Sequence, residues 1–167
     1  MLYENVDISR IYTSPDFPLG AKYRNESNGK EYEFVKYNQG DGGVTPTVGQ
    51  LAYLCGSGGT IVTHPVVTAD VNSTELVVST YGTAYGVFCS VLTDGNYGWI
   101  QKKGLSDEIG LTDGNVTSGT YLTPHTTEGA FVSVAAGTAK TPFIGYALRA
   151  DSGTAMPVGG VYWDFPG

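Results

Sequence analysis

Positive charge is scarce in this chain. Lys and Arg together number 9 against 16 Asp and Glu, the formal net charge is −7, and charged residues of both signs make up only 15%. The one pair of adjacent basic residues is Lys102-Lys103. A surface that neutralises phosphates needs a basic stripe, so no nucleic-acid partner is expected. Long apolar runs are missing as well. No stretch of about 18 apolar residues occurs, which excludes a membrane-spanning helix. The opening MLYENVDISR lacks a basic segment followed by an apolar core, so no Sec-type signal peptide is expected.

Residues that carry chemistry are few. Cys55 and Cys89 are the only cysteines, both inside apolar runs (QLAYLC and GVFCSV), and they read as buried thiols rather than a disulfide. The two histidines, His64 and His125, each stand beside a proline and in no spacing that would put two imidazoles on one metal. CGSGG holds a serine between glycines but is no nucleophile elbow, and no glycine-rich segment ends in the Lys-Ser/Thr of a phosphate loop. The two Asp-Gly-Asn triplets at Asp94 and Asp113 need only a turn that tolerates positive φ. Asp107-Glu108 is an adjacent carboxylate pair, whereas glycosidase carboxylates face each other across a sugar. The Asn-X-Ser/Thr sequons at Asn25, Asn72 and Asn115 mark polar turns. No enzyme activity, cofactor or metal is expected.

Runs of helix formers are absent too, and no long amphipathic helix is expected; LSDEIGL (105–111) has room for one helical turn. What the chain does have is 24 glycines, 12 tyrosines and a regular succession of short apolar runs. After the Asn28-Gly29 turn signal comes KEYEFVKY, which alternates as a strand. From Gln50 onward, runs such as QLAYL, TIVTHPVV, TELVVSTY, YGVFCSVL, YGWIQKK, TYLTP, AFVSVA, PFIGYAL and GGVYWDF are separated by Gly/Asp/Asn/Ser clusters. The expected fold is all-β: a β-barrel or jelly-roll-like sandwich of short antiparallel strands. A weak echo at an offset of 70 residues aligns Gly49 with Gly119 and Ile61-Val62-Thr63 with Phe131-Val132-Ser133, as two copies of one hairpin would.

Residues 1–30 differ in character. Pro15 and Pro18 bar a continuous helix, and Leu2, Tyr3, Ile8, Ile11, Tyr12 and Phe17 are too apolar for a solvated linker. They read as an extended N-terminal arm, with 31–167 as the β-domain; an ordinary first strand and loop of the same domain is the alternative. Near the other end, Tyr162, Trp163 and Phe165 in GGVYWDFPG suggest a strand docked in its own sheet or on a partner. The arm residues and these three aromatics are the candidate subunit or partner contacts. In NYGWIQKKG, strict alternation puts Tyr97, Trp99 and Gln101 on one face and Gly98, Ile100 and Lys102 on the other. Tyr97 and Trp99 would fill a core, meet a sister subunit or stack on a sugar. Lys102 and Lys103 are expected at the solvent end of that strand.

GVFCSVLTDGNYGWIQKKG, followed by VTSGTYLTP, EGAFVSVAAGT, PFIGYALRADSG and a terminal aromatic strand, resembles small virion structural proteins of tailed bacteriophages. GKEYEFVKYNQGDGGV at 29–44 resembles their N-terminal part, and the likeness spans most of 15–167. Several such proteins are capsid decoration, or cement, proteins on the outside of the head, commonly trimers. The resemblance implies a homotrimer bound to the major capsid protein on the capsid exterior, assembled in the host cytoplasm. An acidic chain suits that outer surface. Another virion β-module (a head fibre, tail or baseplate component, with or without carbohydrate binding) is the alternative.

Overall fold

The computed structural model describes residues 6–57, 60–76, 84–112, 114, 116–127, 129–134 and 143–165. The described residues are all-β and contain no helix; within 105–111, where one helical turn had room, Leu105 ends one strand, 107–108 are bends and Gly110–Leu111 begin the next. The strands are β1 (Lys22–Asn25), β2 (Lys30–Tyr37), β3 (Leu51–Ser57), β4 (Thr60–Thr68), β5 (Ala84–Phe88), β6 (Tyr97–Leu105), β7 (Gly110–Leu111), β8 (Tyr121–Pro124), β9 (Phe131–Ser133), β10 (Gly145–Ala147), β11 (Ala155–Met156) and β12 (Val161–Asp164). Ten of them form one sheet in the order β1-β2-β4-β3-β5-β6-β12-β10-β8-β9, while β7 pairs with β11.

An additional β2–β6 pairing closes β2-β4-β3-β5-β6 on itself as a small barrel. Every pairing in it is antiparallel except β2–β4, where Lys36 and Tyr37 run parallel to Val66 and Val67. Val35, Tyr37, Ala52, Val67, Phe88 and Ile100 from the barrel strands form one buried cluster with Leu92 from the connection between β5 and β6. Strand β2 is buried along both faces, because alternate residues enter two cores: Val35 and Tyr37 the cluster just named, Tyr32 and Phe34 a second, aromatic one. A third core gathers Leu51, Tyr53 and Val87 with Leu122, Phe131, Ile144, Trp163 and Phe165, joining barrel strands β3 and β5 to the β12-β10-β8-β9 extension. The 70-residue echo falls on two real hairpins, β3–β4 and β8–β9.

Residues 6–21 lie on the second core. Tyr12 exchanges backbone hydrogen bonds with Tyr97, at 2.9 and 2.8 Å, and its ring sits edge-on to Phe17 and Phe34. Phe17 also packs edge-on to Trp99 at 5.1 Å, with Val6, Ile8 and Leu19 against the same cluster. The boundary expected at residue 30 falls within the β1–β2 hairpin, whose turn is held by Gly29 N–H donating to Asn25 O and by Gly29 at φ 70°. Of the arm candidates, Tyr12 is buried, Phe17 and Ile8 are half-buried, Ile11 is exposed, and Leu2 and Tyr3 lie outside the described residues.

Gly49 has a steric reason. It holds φ +88°, and a Cβ there would stand 1.9 Å from the Ile109 carbonyl oxygen. Its N–H donates to Phe88 O, so the chain passes between β5 and the 106–109 loop with no room to spare. Gly49→Ala is therefore expected to cost about 3 kcal/mol or more, from backbone strain plus overpacking, in urea unfolding. Trp99→Ala, which empties a fully buried site, is expected to cost a similar ~3–5 kcal/mol.

Candidate functional site

Tyr97 and Trp99 do share a face, and that face is covered. Trp99 has no exposed surface, packed among Phe17, Tyr23 and Phe34; Tyr97 stacks on Phe34 at 6.1 Å and 10°. Trp99 is core, and Tyr97 is half-buried against the same cluster. Gly98 between them makes room on the opposite face for Leu92, whose Cδ2 would meet a Cβ at 2.7 Å. Trp163 and Phe165 are likewise inside, at 0% and 1% exposure, tilted on one another 5.4 Å apart. As candidate contacts they are corrected: Trp163, on the inward side of β12, and Phe165, just past its end, are both spent on the chain's own third core.

The outward parity of the same strands builds something else. Cross-strand register sets Leu105 opposite Tyr162, Tyr162 opposite Tyr146, and Tyr146 opposite Tyr121. All four are solvent-exposed, and Phe143, 52% exposed, lies 5.6 Å from the Tyr121 ring. The result is one apolar row across β6, β12, β10 and β8. Tyr146 and Tyr162 stack face to face at 5.2 Å and 18°. Their faces are turned to each other, so what they offer to solvent is ring edge and hydroxyl. A sugar stacks on an open ring face, whereas edge-on rings suit packing against a protein surface. Tyr162 is the one C-terminal contact candidate that belongs to this row.

A second row runs beside it on the same outer face. Arg24 is opposite Glu31, Glu31 opposite Lys103, and Lys103 opposite Asp164, so charge alternates across β1, β2, β6 and β12. Arg24–Glu31 and Lys103–Asp164 are ion pairs at 3.9 and 3.4 Å, both well exposed and worth little individually. Where this row crosses β6, the register shifts: Tyr32 pairs with Gln101 but Glu31 with Lys103. Lys102 is the extra residue of a bulge, and such an insertion re-aims side chains. Gln101, buried, fixes the bend by donating from Nε2 to the Lys103 and Leu105 carbonyls at 3.2 and 2.7 Å.

The bulge corrects the expectation for Lys102. Instead of reaching solvent beside Lys103, it is 6% exposed. Its ammonium sits 3.2 Å from the Tyr85 ring centroid and donates to the Tyr85 carbonyl. Tyr85 in turn donates its hydroxyl to Glu33 Oε1 at 2.7 Å, and Glu33 is itself buried. Burial pushes the Lys102 ammonium down to about 8; Glu33 opposes that shift, and Lys22 and Lys103 add to it. Burial and the Glu33 carboxylate push the Tyr85 phenol up. Lys102, Lys103, Glu31 and Glu33, with Lys22 and Arg24 from β1, line a cavity of about 350 Å³.

The remaining sequence candidates are locally engaged. His125 Nδ1 accepts from the Thr127 backbone N–H at 3.2 Å. Asp94 Oδ1 accepts from Gln39 N–H, and Gly95 turns at φ 78°. Both cysteines are free and buried, and burial pushes the Cys55 thiol up to about 12. Asp107 accepts from both Lys30 and the Tyr32 hydroxyl, which ties it to β2. Among the described residues no group of three or more His, Cys, Asp or Glu could hold a metal ion. The side chain of His64 and all of Asp113 lie outside the described residues. Comparison with family models, with curated proteins and with solved structures found no match.

Lys102 makes a pH test available. Its folded value, about 8, lies below the ordinary 10.5, so between these the unfolded chain binds more protons and stability rises with pH. Lys102→Met removes that dependence. The stability of the Met variant relative to the parent is expected to be highest at about neutral pH and to decline as pH climbs through this window, measured by chemical denaturation.

Proposed function

We propose that this chain is a capsid decoration protein: it binds the outer surface of a tailed-phage head and stabilises contacts between major capsid subunits. The observation that carries the reading is the in-register row Leu105–Tyr162–Tyr146–Tyr121 with Phe143, an exposed apolar strip on a sheet backed by a closed barrel. Single exposed apolar residues are ordinary, but a contiguous strip marks a protein contact. The sequence resemblance to small virion structural proteins supports the same role, and the acidic balance suits a surface away from packaged DNA. Cementing needs no catalysis. Many copies, each burying modest area at a junction between subunits, stabilise the assembled lattice by mass action because they bind it and not its separated parts. A homotrimer is part of this proposal, and sedimentation equilibrium would test it.

The direct experiment is co-sedimentation of the purified chain with heads assembled from the major capsid protein encoded beside it. Saturable binding supports the proposal; absence of a capsid gene nearby, or of binding, overturns it. Within that assay, the double substitution Phe143→Ser and Tyr146→Ser is expected to weaken binding by about 2 kcal/mol or more, roughly thirtyfold. The same change should lower folding stability by no more than about 1.5 kcal/mol, since it removes ring contacts at an exposed strip. Glycan-array binding lost on Tyr121→Ala would favour the carbohydrate-binding virion module instead; Tyr121 is the most open ring of the row, at 61% exposure.

A further inference from the structure

One ion pair differs from the others. Lys30, at the start of β2, meets Asp107 in the loop after β6, and their side chains are only 14% and 23% exposed. Arg10–Asp16, Arg24–Glu31 and Lys103–Asp164 are all open to solvent, where mobile side chains make such pairs weak. The Lys30–Asp107 pair is fixed from both sides. The Lys30 stem crosses β6 over Gly104, at φ 98°, where a Cβ would stand 2.9 Å from Lys30 Cγ. The Lys30 N–H donates to Asn28 Oδ1 at 3.1 Å. The Asp107 N–H donates to Gln101 Oε1 at 3.2 Å, and Gln101 is the buried amide that also binds the Lys103 and Leu105 carbonyls. Two residues on, the Ile109 carbonyl lies against Gly49.

Both carboxyl oxygens of Asp107 are engaged. Oδ1 meets Lys30 Nζ, and Oδ2 accepts from the hydroxyl of Tyr32, a buried residue. Burial and the Asp107 carboxylate push the Tyr32 phenol up, so it stays a donor. Glu108, next in the chain and half-buried, is pushed up by burial and by the Asp107 charge, so an acid able to hold a proton adjoins the pair. An amine, a carboxyl carbon, a donor aimed at one carboxyl oxygen and a neighbouring acid are the groups that acyl transfer uses.

We infer that Lys30 and Asp107 condense to an intramolecular amide. Lys30 gives one proton to the carboxylate, and its Nζ then attacks Asp107 Cγ to form the Nζ–Cγ bond. The charge that develops on Oδ2 is met by the Tyr32 hydroxyl. The Cγ–Oδ1 bond breaks, and Oδ1 leaves as water with two of the three ammonium protons; the third stays on the amide nitrogen. Nothing is oxidised or reduced, and no co-reactant is needed. Well-oriented intramolecular pairs reach effective molarities of about 10⁵–10⁸ M, which a free amine and carboxylate in water lack. The product ties β2 to the loop after β6, the two strands whose pairing closes the barrel, so that closure becomes covalent.

The test is the intact mass of the whole purified chain, measured after denaturation. A mass one water below that of the linear sequence is expected, together with a proteolytic peptide pair joined through Lys30 and Asp107. Lys30→Arg, which keeps a positive charge opposite Asp107, and Asp107→Ala should each return the full linear mass. A succinimide at an Asp-Gly step (Asp41, Asp94 or Asp113) also loses one water, but it persists in Lys30→Arg and is cleaved by hydroxylamine, whereas the amide is lost in that variant and resists hydroxylamine. The joined peptide from the parent decides the matter even where a variant fails to fold. The full linear mass in the parent, or a loss of water that persists in Lys30→Arg, overturns the inference.

Discussion

Everything in this fold depends on strand β6 being held on both edges and buried on both faces. Along one edge it pairs with β2 from Tyr97 to Lys103; along the other it pairs first with β5 and then with β12. Ile100 faces the core formed by the barrel strands, and Trp99 faces the aromatic core under residues 6–21. The strand therefore closes the barrel, anchors the N-terminal segment and launches the extension that carries the exposed row. Both surface features meet on it: Leu105 begins the apolar row, and Lys103 sits in the alternating charge row one step away.

That arrangement separates buried from exposed aromatics by strand parity. On β12, Trp163 is inside and Tyr162 outside; on β10, Ala147 is inside and Tyr146 outside; on β8, Leu122 is inside and Tyr121 outside. A one-residue slip in any of these strands would exchange the two sets. The large inward side chains are thus what fixes the outward row, since only one register buries Trp163 and Leu122 together.

The sequence was informative wherever the information is local. Alternation in KEYEFVKY and the glycine-bearing turns place the strands, and the 70-residue echo corresponds to two hairpins. The pairing of Tyr97 with Trp99 on one face was also legible, because two residues apart in a strand is a local relation. Three features were not legible. The parallel β2–β4 pairing and the exposed row depend on which strands become neighbours, and nothing in a linear string aligns Tyr121, Tyr146 and Tyr162. Lys102 lies on the face of Ile100, as alternation has it, but the expectation of a solvent end beside Lys103 failed, because the bulge between them leaves no mark: Gln101 reads as an ordinary strand residue until its amide is seen bridging two carbonyls.

The β2–β6 closure carries a kinetic consequence. Residues 31–36 must find residues 97–103, roughly sixty to seventy positions along the chain, before either the barrel or the aromatic core exists. Topologies that depend on such distant pairing fold slowly, on the order of milliseconds to seconds, because loop entropy is lost before the contacts that offset it are made. In that interval Phe34, Trp99 and Ile100 stand open to water on unpaired strands. The many-turn, glycine-rich chain that closes into this barrel is thus most exposed to wrong association before it closes.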